Sequence, residues 1–314
     1  MHSHNHHKQP LVHILMGVLN GADHLPTQLG ALSRQDWTAW RLTCSDDGSM
    51  DGSRGCLRAF RDLGAQPVTL VRGPSQGFAA NYLSMMRGLA HDTGHVALCD
   101  QDDLWFPAKL SRAMTMLGAL NAQRPALYAA ARLIWDARQG TIVPERSVVH
   151  RPSFQNALIE NIAPGNTIVL NAAAARLARN AARLAGPVFA HDWWLYLLIS
   201  GAGGTIVADP RPVLLYRQHA QNVIGAGHGI AGHLRRKMGV LNGDYRRRIS
   251  TNIAAMRRCG MYLTEENRDI LARFAAAQEG RSARRIYLMG ACRPYRQSGL
   301  ASAAFWGAAV IGRV

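Results

Sequence analysis

A short acidic run, Asp100-Gln101-Asp102-Asp103, is the part of the sequence whose residue types most clearly predict chemistry. It directly follows the apolar residues 95–99, which are typical of a buried strand. In an extended chain, two carboxylates separated by one residue point to the same side. Hard divalent cations such as Mg²⁺ and Mn²⁺ prefer oxygen ligands and keep positions open for substrate phosphates. The run therefore suits a metal-assisted reaction on a phosphate-bearing substrate, although a solvated loop capping the next helix would have the same sequence.

A second acidic group, Asp46-Asp47-Gly48-Ser49, follows the strand-like residues 40–45, and residues 17–20 follow an apolar run at 11–17. The carboxyl ends of parallel strands meet at one edge of a sheet, where ligands bind. We therefore expect these two groups and the Asp100 run to lie at the same edge. Acidic groups brought together are costly unless a cation or a hydroxyl-rich ligand lies between them.

The elements that position these residues alternate between strand and helix. Residues 67–71 form another strand-like run, and helical spacing appears between the runs, as at Leu25, Leu29 and Leu32. This alternation predicts an α/β fold with a mostly parallel sheet covered by helices on both faces. From residue 127 onward, short strand-like pieces mix with loops and helices, which indicates the substrate-facing half of the same domain.

Five motifs, taken together and in this order, resemble the inverting nucleotide-sugar glycosyltransferases of family 2, and especially their rhamnosyltransferase-like branch. They are the Asp46 turn extended to Ser53, Gly77-Phe78-Ala79-Ala80-Asn81, the Asp100 run with Leu104-Trp105, His191-Asp192-Trp193-Trp194, and Tyr216-Arg217-Gln218-His219 with Asn222. The resemblance covers residues 12–225 and implies a GT-A fold, with a Rossmann-like central sheet. It also implies an enzyme that moves a hexose, rhamnose in this branch, from a nucleoside-diphosphate sugar of dTDP or UDP type. The acceptor would be a glycan or a lipid-linked molecule in cell-surface polysaccharide synthesis.

The resemblance also implies roles for individual residues. Asp192 would be the general base that takes the proton from the acceptor hydroxyl, although without the motif a helix cap would be the better interpretation. A divalent cation, Mg²⁺ or Mn²⁺, would be held by Asp102 and by His219, which otherwise contacts the diphosphate. The residues implied to bind the nucleotide sugar are Gly17, Asn20, Asp47, Asn81, Asp100, Asn166, Arg217 and Gln218.

Within that set, Asp47 would accept a hydrogen bond from the pyrimidine base, and Asp100 would face the ribose. Arg217 would donate to phosphate or sugar. Asp103 is expected to orient its loop or to cap the following helix, and Trp105 to pack. The first strand departs from the family because it lacks the usual Thr/Ser-Tyr-Asn triplet, so base contacts there would come from the backbone.

The net charge of +16 is concentrated at one end of the chain. Residues 1–230 hold 20 Lys and Arg against 15 Asp and Glu, whereas residues 231–314 hold 16 against 5. We therefore divide the chain into a disordered His-rich tail (1–10), a GT-A domain (11–230) and a basic helical C-terminal extension (231–314). The extension ends in an apolar stretch with Phe305 and Trp306. It suits an anionic membrane surface, or equally a helix docked on the body beneath a solvated basic face.

Several function classes are excluded by what the sequence lacks. No G-x-G-x-x-G follows the first strand, which excludes a Rossmann dehydrogenase or methyltransferase. No recognition-helix, RNP or zinc-ligand pattern supports a nucleic-acid partner. Five scattered cysteines, no signal peptide and no apolar span predict a cytoplasmic protein. The basic extension and a lipid-linked acceptor would place it at the inner face of the plasma membrane. The remaining alternative is a non-catalytic glycan- or nucleic-acid-binding scaffold, against which intact Asp100, Asp102 and Asp192 argue.

Overall fold

The computed structural model describes residues 9–218 and 244–314, apart from residues 138, 146, 147 and 149. The first half alternates between strand and helix: β1 (Val12–Val18), α1 (Leu25–Ser33), β2 (Trp40–Asp46), α2 (Ser53–Leu63), β3 (Val68–Arg72), α3 (Phe78–Arg87), β4 (His95–Cys99), β5 (Leu104–Trp105) and α4 (Lys109–Gly118). The second half of the body comprises β6 (Ala126–Ala130), β7 (Leu133–Asp136), β8 (Thr141–Pro144), α5 (Phe154–Ala157), a 3-10 helix (Gly165–Thr167), β9 (Val169–Leu170), α6 (Ala172–Ala182), α7 (His191–Gly201), β10 (Thr205–Asp209) and β11 (Leu214–Gln218). The described C-terminal elements are α8 (Asp244–Arg258), a 3-10 helix (Gly260–Tyr262), α9 (Glu265–Glu279), α10 (Ser282–Cys292) and α11 (Gly299–Val310).

Seven strands form the central sheet in the order β10-β6-β9-β4-β1-β2-β3. All its pairings are parallel except those of β9, which runs antiparallel to β4 and β6. In register, Val18 lies opposite Asp46, and Asp46 opposite Arg72, so three strands end side by side. This confirms the predicted α/β fold with a mostly parallel sheet.

Four strands form a second, smaller sheet in the order β5-β11-β7-β8. Its strand β5 begins directly after Asp103 and pairs with β11, where Trp105 lies opposite Leu214. The sequence reasoning placed a strand at β11 but not at β5. The pairing explains why the acidic run and the Arg217 motif, far apart in the chain, become neighbours.

Apolar side chains of β1 separate into two layers, as alternation along a strand requires. Ile14 and Met16 join a buried cluster with α1 and α4 on one face of the sheet. Leu15 joins another cluster with α3, α6 and α7 on the other face. Helices therefore cover both faces, as predicted.

The C-terminal helices pack on the body, next to α7. Phe274, Met289 and Phe305 belong to the same buried cluster as the apolar residues of α7. Polar contacts also join the segment before α11 to the loop after α5. Glu160 Oε2 accepts from Gln297 N (2.6 Å), and Glu160 Oε1 lies 3.2 Å from Arg296 Nη2. Among the described residues, no helix is both long and apolar enough to cross a bilayer. The predicted domain boundary at 230/231 lies outside the described residues and stays a prediction, as does the tail at 1–10, of which 1–8 are not described.

Candidate active site

Asp100 lies where β4 ends, among other carboxylates. The Tyr82 hydroxyl lies 3.1 Å from its Oδ1 and also donates to the Cys99 carbonyl (2.5 Å). Burial, followed by repulsion from Asp102, raises the pKa of Asp100 to about 7, and the charge of Asp192 adds to the rise. Asp192 arrives from α7, about 90 residues further along the chain. The fold therefore brings Asp100, Asp102 and Asp192 into one electrostatically coupled group.

Asp103 is completely buried beside this group. Its Oδ2 accepts from Asn166 Nδ2 (2.7 Å), and its Oδ1 has no hydrogen-bond partner among the described residues. Burial and the charges of Asp100 and Asp102 raise the pKa of Asp103 well above its ordinary value. It does not cap α4, whose cap residue is Ala108. A cation would stabilise these crowded carboxylates, so the residues present fit the predicted divalent ion.

A buried lysine lies under the acidic run. Lys109 is 0% exposed, and its Nζ lies 3.1 Å from the ring centroid of Trp105, which packs as expected. The ammonium also donates to the Asn166 carbonyl. Burial lowers the pKa of Lys109 to about 7, partly offset by the charges of Cys99 and Asp103. The lysine thus ties α4 to the loop that carries Asn166.

Arg132 is a site residue that the sequence reasoning missed. Its Nε and Nη2 each lie 2.8 Å from an oxygen of Glu145, and its Nη1 lies 3.3 Å from Asn166 Oδ1. Its charge lowers the pKa of both Asp100 and Asp103. The residue follows β6 in a segment without any motif, so only its long-range contacts identify it.

The loop after β1 is held in place by the side-chain amides of Gln101 and Asn20. Gln101 accepts from Leu19 N (2.9 Å) and donates to Leu19 O (3.0 Å), as a neighbouring strand would. Asn20 has a left-handed φ of 49°, accepts from Met50 N (2.9 Å) and donates through its own N to Ser49 Oγ (2.9 Å). The predicted nucleotide loop is therefore tied to both acidic turns.

Asp47 organises the entry to α3. Its Oδ1 accepts from Ser75 N (2.7 Å) and its Oδ2 from Gly77 N (2.9 Å). Gly77 adopts a φ of 87°, a left-handed value that favours glycine. Each carboxylate oxygen keeps a second lone pair, so the base contact predicted for Asp47 remains open to it.

Gly17 and Asn81 meet where β1, β2 and α3 converge. A Cβ on Gly17 would lie 3.2 Å from the Tyr82 ring, so a larger residue would crowd it. The Asn81 amide pairs with Ser45, accepting from its hydroxyl (2.5 Å) and donating to its carbonyl (3.0 Å). Both residues thus lie in tightly packed positions at the sheet edge. Their contacts with the nucleotide sugar stay predictions.

Asp192 is the second residue of α7, whose cap residue is Ala190. Its Oδ2 accepts from Gly165 N (3.1 Å) and its Oδ1 from Trp193 N (2.7 Å). The neighbouring His191 stacks on Tyr82 with ring centroids 3.9 Å apart. Tyr82 therefore links the predicted base on α7 with Asp100 at the end of β4, although its spacing in the sequence suggested only a core position.

The remaining predicted residues lie on two sides of the acidic run. Arg217 donates from Nε to the Asp102 carbonyl (3.1 Å), and its guanidinium lies 4.1 Å from the Trp135 ring centroid. Gln218 lies at the end of β11, opposite Asp136. Asn166 is only 1% exposed, with both amide atoms bonded to protein groups, so its sugar contact stays a prediction.

The predicted metal ligand His219 lies outside the described residues. Within the part of the chain that the structure describes, no three His, Cys, Asp or Glu side chains are grouped to hold an ion by themselves. Asp102 and His219 as metal ligands therefore stay a prediction.

A mostly parallel sheet with an acidic run at the carboxyl ends of its strands is the arrangement of a GT-A glycosyltransferase. Residues 14–167 match the model of glycosyl transferase family 2, so the chain carries a domain of that family. Among curated relatives it is similar to the dTDP-rhamnosyl transferase RfbG of Shigella flexneri, with 23% identity over 76% of this chain and 83% of RfbG.

Two solved structures show the same fold at low sequence identity. TarS residues 1–349 of S. aureus, in complex with UDP-GlcNAc, is 12% identical, with a TM-score of 0.53 and 90% of each chain covered. The mannosyltransferase PcManGT of Pyrobaculum calidifontis, in complex with GDP-Man and Mn²⁺, is 17% identical, with a TM-score of 0.50. That comparison covers 98% of this chain and 88% of PcManGT.

Proposed function

We propose that this glycosyltransferase moves rhamnose from a dTDP-activated donor, with inversion, to a glycan or lipid-linked acceptor in cell-surface polysaccharide synthesis. The observation that carries the proposal is the position of Tyr82, whose hydroxyl lies 3.1 Å from Asp100 Oδ1 and whose ring stacks on His191, next to Asp192. This contact supports a single site for the predicted donor-binding carboxylate and the predicted base. The sugar and nucleotide follow from the similarity to RfbG, and a UDP donor is the alternative that the same site would accept.

The proposed reaction needs one protein carboxylate to move a proton. Asp192 takes the proton from the acceptor hydroxyl as that oxygen attacks the anomeric carbon. The N–H groups of Gly165 and Trp193 hold the Asp192 carboxylate in place. The leaving group is a nucleoside diphosphate, so no side chain has to donate a proton to it.

The other site residues bind and orient the donor. Asp47 accepts a hydrogen bond from the nucleotide base. Asp100, which Tyr82 orients, faces the ribose. Arg217 and Gln218 donate to phosphate or sugar. Asp102, with His219, would hold Mg²⁺ or Mn²⁺, which when bound supplies positive charge to the departing diphosphate. Asp103 Oδ1, which has no hydrogen-bond partner among the described residues, and the Mn²⁺ in the PcManGT structure support such an ion.

We place the enzyme in the cytoplasm, peripheral at the inner face of the plasma membrane. A lipid-linked acceptor would require access to that surface. The basic residues 231–314 favour an anionic lipid headgroup layer, and no feature of the described residues supports a nucleic-acid partner.

A donor screen tests the proposal. Release of nucleoside diphosphate is measured for the full chain against dTDP-rhamnose, dTDP-glucose, UDP-glucose, UDP-GlcNAc and GDP-mannose, each with Mn²⁺ and with EDTA. We expect the fastest release with dTDP-rhamnose, its loss in EDTA and its recovery when Mn²⁺ is restored. Faster release of nucleoside diphosphate from another donor would overturn the sugar assignment. Equal release in EDTA and in Mn²⁺ would overturn the proposed metal dependence.

A further inference from the structure

The outward face of α11 is apolar along its whole length. Exposed residues recur at helical spacing, and the series continues one residue past the helix end. Leu300 is 85% exposed, Val310 55% and Ile311 63%. We name this set the α11 face: Leu300, Ala303, Ala304, Gly307, Val310 and Ile311.

The opposite side of α11 anchors the helix to the body. Phe305 is 2% exposed, Ala308 and Ala309 are buried, and Trp306 packs partly buried against the same cluster. The two aromatics that the sequence suggested for membrane contact are thus turned inward. A ligand of the α11 face would therefore meet it on a docked helix, without refolding the chain.

The segment that carries this face has no acidic residue of its own. Residues 280–314 contain six arginines and no aspartate or glutamate. Arg285 and Arg296 are used internally, bonding Ala309 O and Glu160. The other four are exposed and form no ion pair with a carboxylate of the described residues: Arg281, Arg284, Arg293 and Arg313. Tyr287, which is 77% exposed, lies one helical turn from Arg284 on α10.

We propose that the α11 face, together with these four arginines, docks into the headgroup region of an anionic bilayer. The inference rests on the membrane attachment proposed above and assigns that attachment to one helix face. An exposed apolar helix face, in a segment whose only charged residues are arginines, matches both the interface and the charge of such a lipid layer. A second copy of the chain would bring like charges together, and a nucleic acid would leave the apolar face in water.

The test is co-sedimentation of the full chain with vesicles of phosphatidylglycerol and phosphatidylcholine, or of phosphatidylcholine alone. The informative variant is Leu300→Glu/Ile311→Glu. Its matched control is Leu63→Glu/Met261→Glu, because Leu63 is 89% and Met261 73% exposed away from α11. A second pair compares Arg284→Gln/Arg313→Gln with Arg58→Gln/Arg183→Gln. Calorimetric binding of dTDP shows that each variant is folded.

We expect the wild type and both controls to bind anionic vesicles, with partitioning reduced at least tenfold in each α11-side variant. Binding that the α11-side and control variants lose equally would overturn this inference but leave attachment through another part of residues 231–314. A wild type that does not bind anionic vesicles would overturn both this inference and the proposed membrane attachment. The donor screen would still test the proposed transfer reaction. A wild-type dimer that Leu300→Glu/Ile311→Glu dissociates would assign the face to a second copy and contradict the proposal.

Discussion

His191 is a buried residue of α7, directly before the proposed base Asp192. It lies against Tyr82, with Phe78 at its edge, and neither ring nitrogen has a hydrogen-bond partner among the described residues. Burial lowers its pKa from 6.5 to about 4, although the neighbouring Asp192 acts in the opposite direction. The imidazole of His191 is therefore neutral in the folded protein at neutral pH.

This burial predicts a pH-dependent stability. Between pH 6.5 and pH 4 the unfolded chain binds a proton at His191 that the folded chain does not, so stability falls as the pH falls. Replacing His191 with leucine should reduce that fall by up to about 3 kcal/mol. Urea unfolding of both proteins from pH 7 to pH 4 measures it.

The comparison isolates His191, because His13, whose pKa is also lowered to about 4 by burial, is present in both proteins. Parallel stability curves for the wild type and His191→Leu would show that His191 is protonated as easily in the folded chain as in the unfolded one.

Residue type predicted the acidic members of the site but not the groups that hold them. Asp100 and Asp192 stand out through the ordered motifs that contain them, because a carboxylate at a strand end or helix start by itself also suits a cap. Tyr82 fits an apolar helix face equally well, so its hydroxyl contact with Asp100 is invisible in sequence. Arg132 gains its meaning only from Glu145 and Asn166, which the fold brings to it.

At the scale of elements, Gln101 acts as a short extra strand for the loop after β1. Its amide makes two hydrogen bonds to the Leu19 backbone. Replacing Gln101 with alanine should weaken dTDP binding about tenfold, because the loop must then be ordered when the nucleotide binds. Titration calorimetry of the variant against the wild type measures this change.

Gln66→Ala is the matched control. Gln66 also donates from its amide to a backbone carbonyl, that of Thr38, but in an exposed loop at the other end of β2. Equal dTDP affinity in Gln101→Ala and Gln66→Ala would mean that the loop after β1 is ordered without Gln101 or does not contact the nucleotide.

Sequence periodicity located most of the strands of the central sheet but missed the short strands β5 and β8. The run at 11–17 became β1 at Val12–Val18, because a buried parallel strand is apolar along its length. The two-residue β5 is a strand only because β11 pairs with it, and β8 is exposed throughout. Neither carries a pattern that a local reading detects.

At the scale of the whole molecule, acidic and basic groups are separated. Asp46 and Asp100 lie at strand ends of the sheet, whereas residues 231–314 hold 16 Lys and Arg against 5 Asp and Glu. Sequence composition predicted this separation, and it left open whether the C-terminal helices dock on the body. The buried Phe305 and the Glu160 contacts show that they dock, while the α11 face remains exposed.

The central claim is that Asp192 moves the proton in the cleft where Asp100 and Asp102 hold the donor. The most direct test compares Asp192→Asn with the control Asp92→Asn, a substitution at an exposed position, in transfer and in calorimetric dTDP binding. We predict that Asp192→Asn loses transfer about a thousandfold and binds dTDP as the wild type does. Wild-type turnover in Asp192→Asn, or a loss of dTDP binding that matches its loss of transfer, would contradict the account.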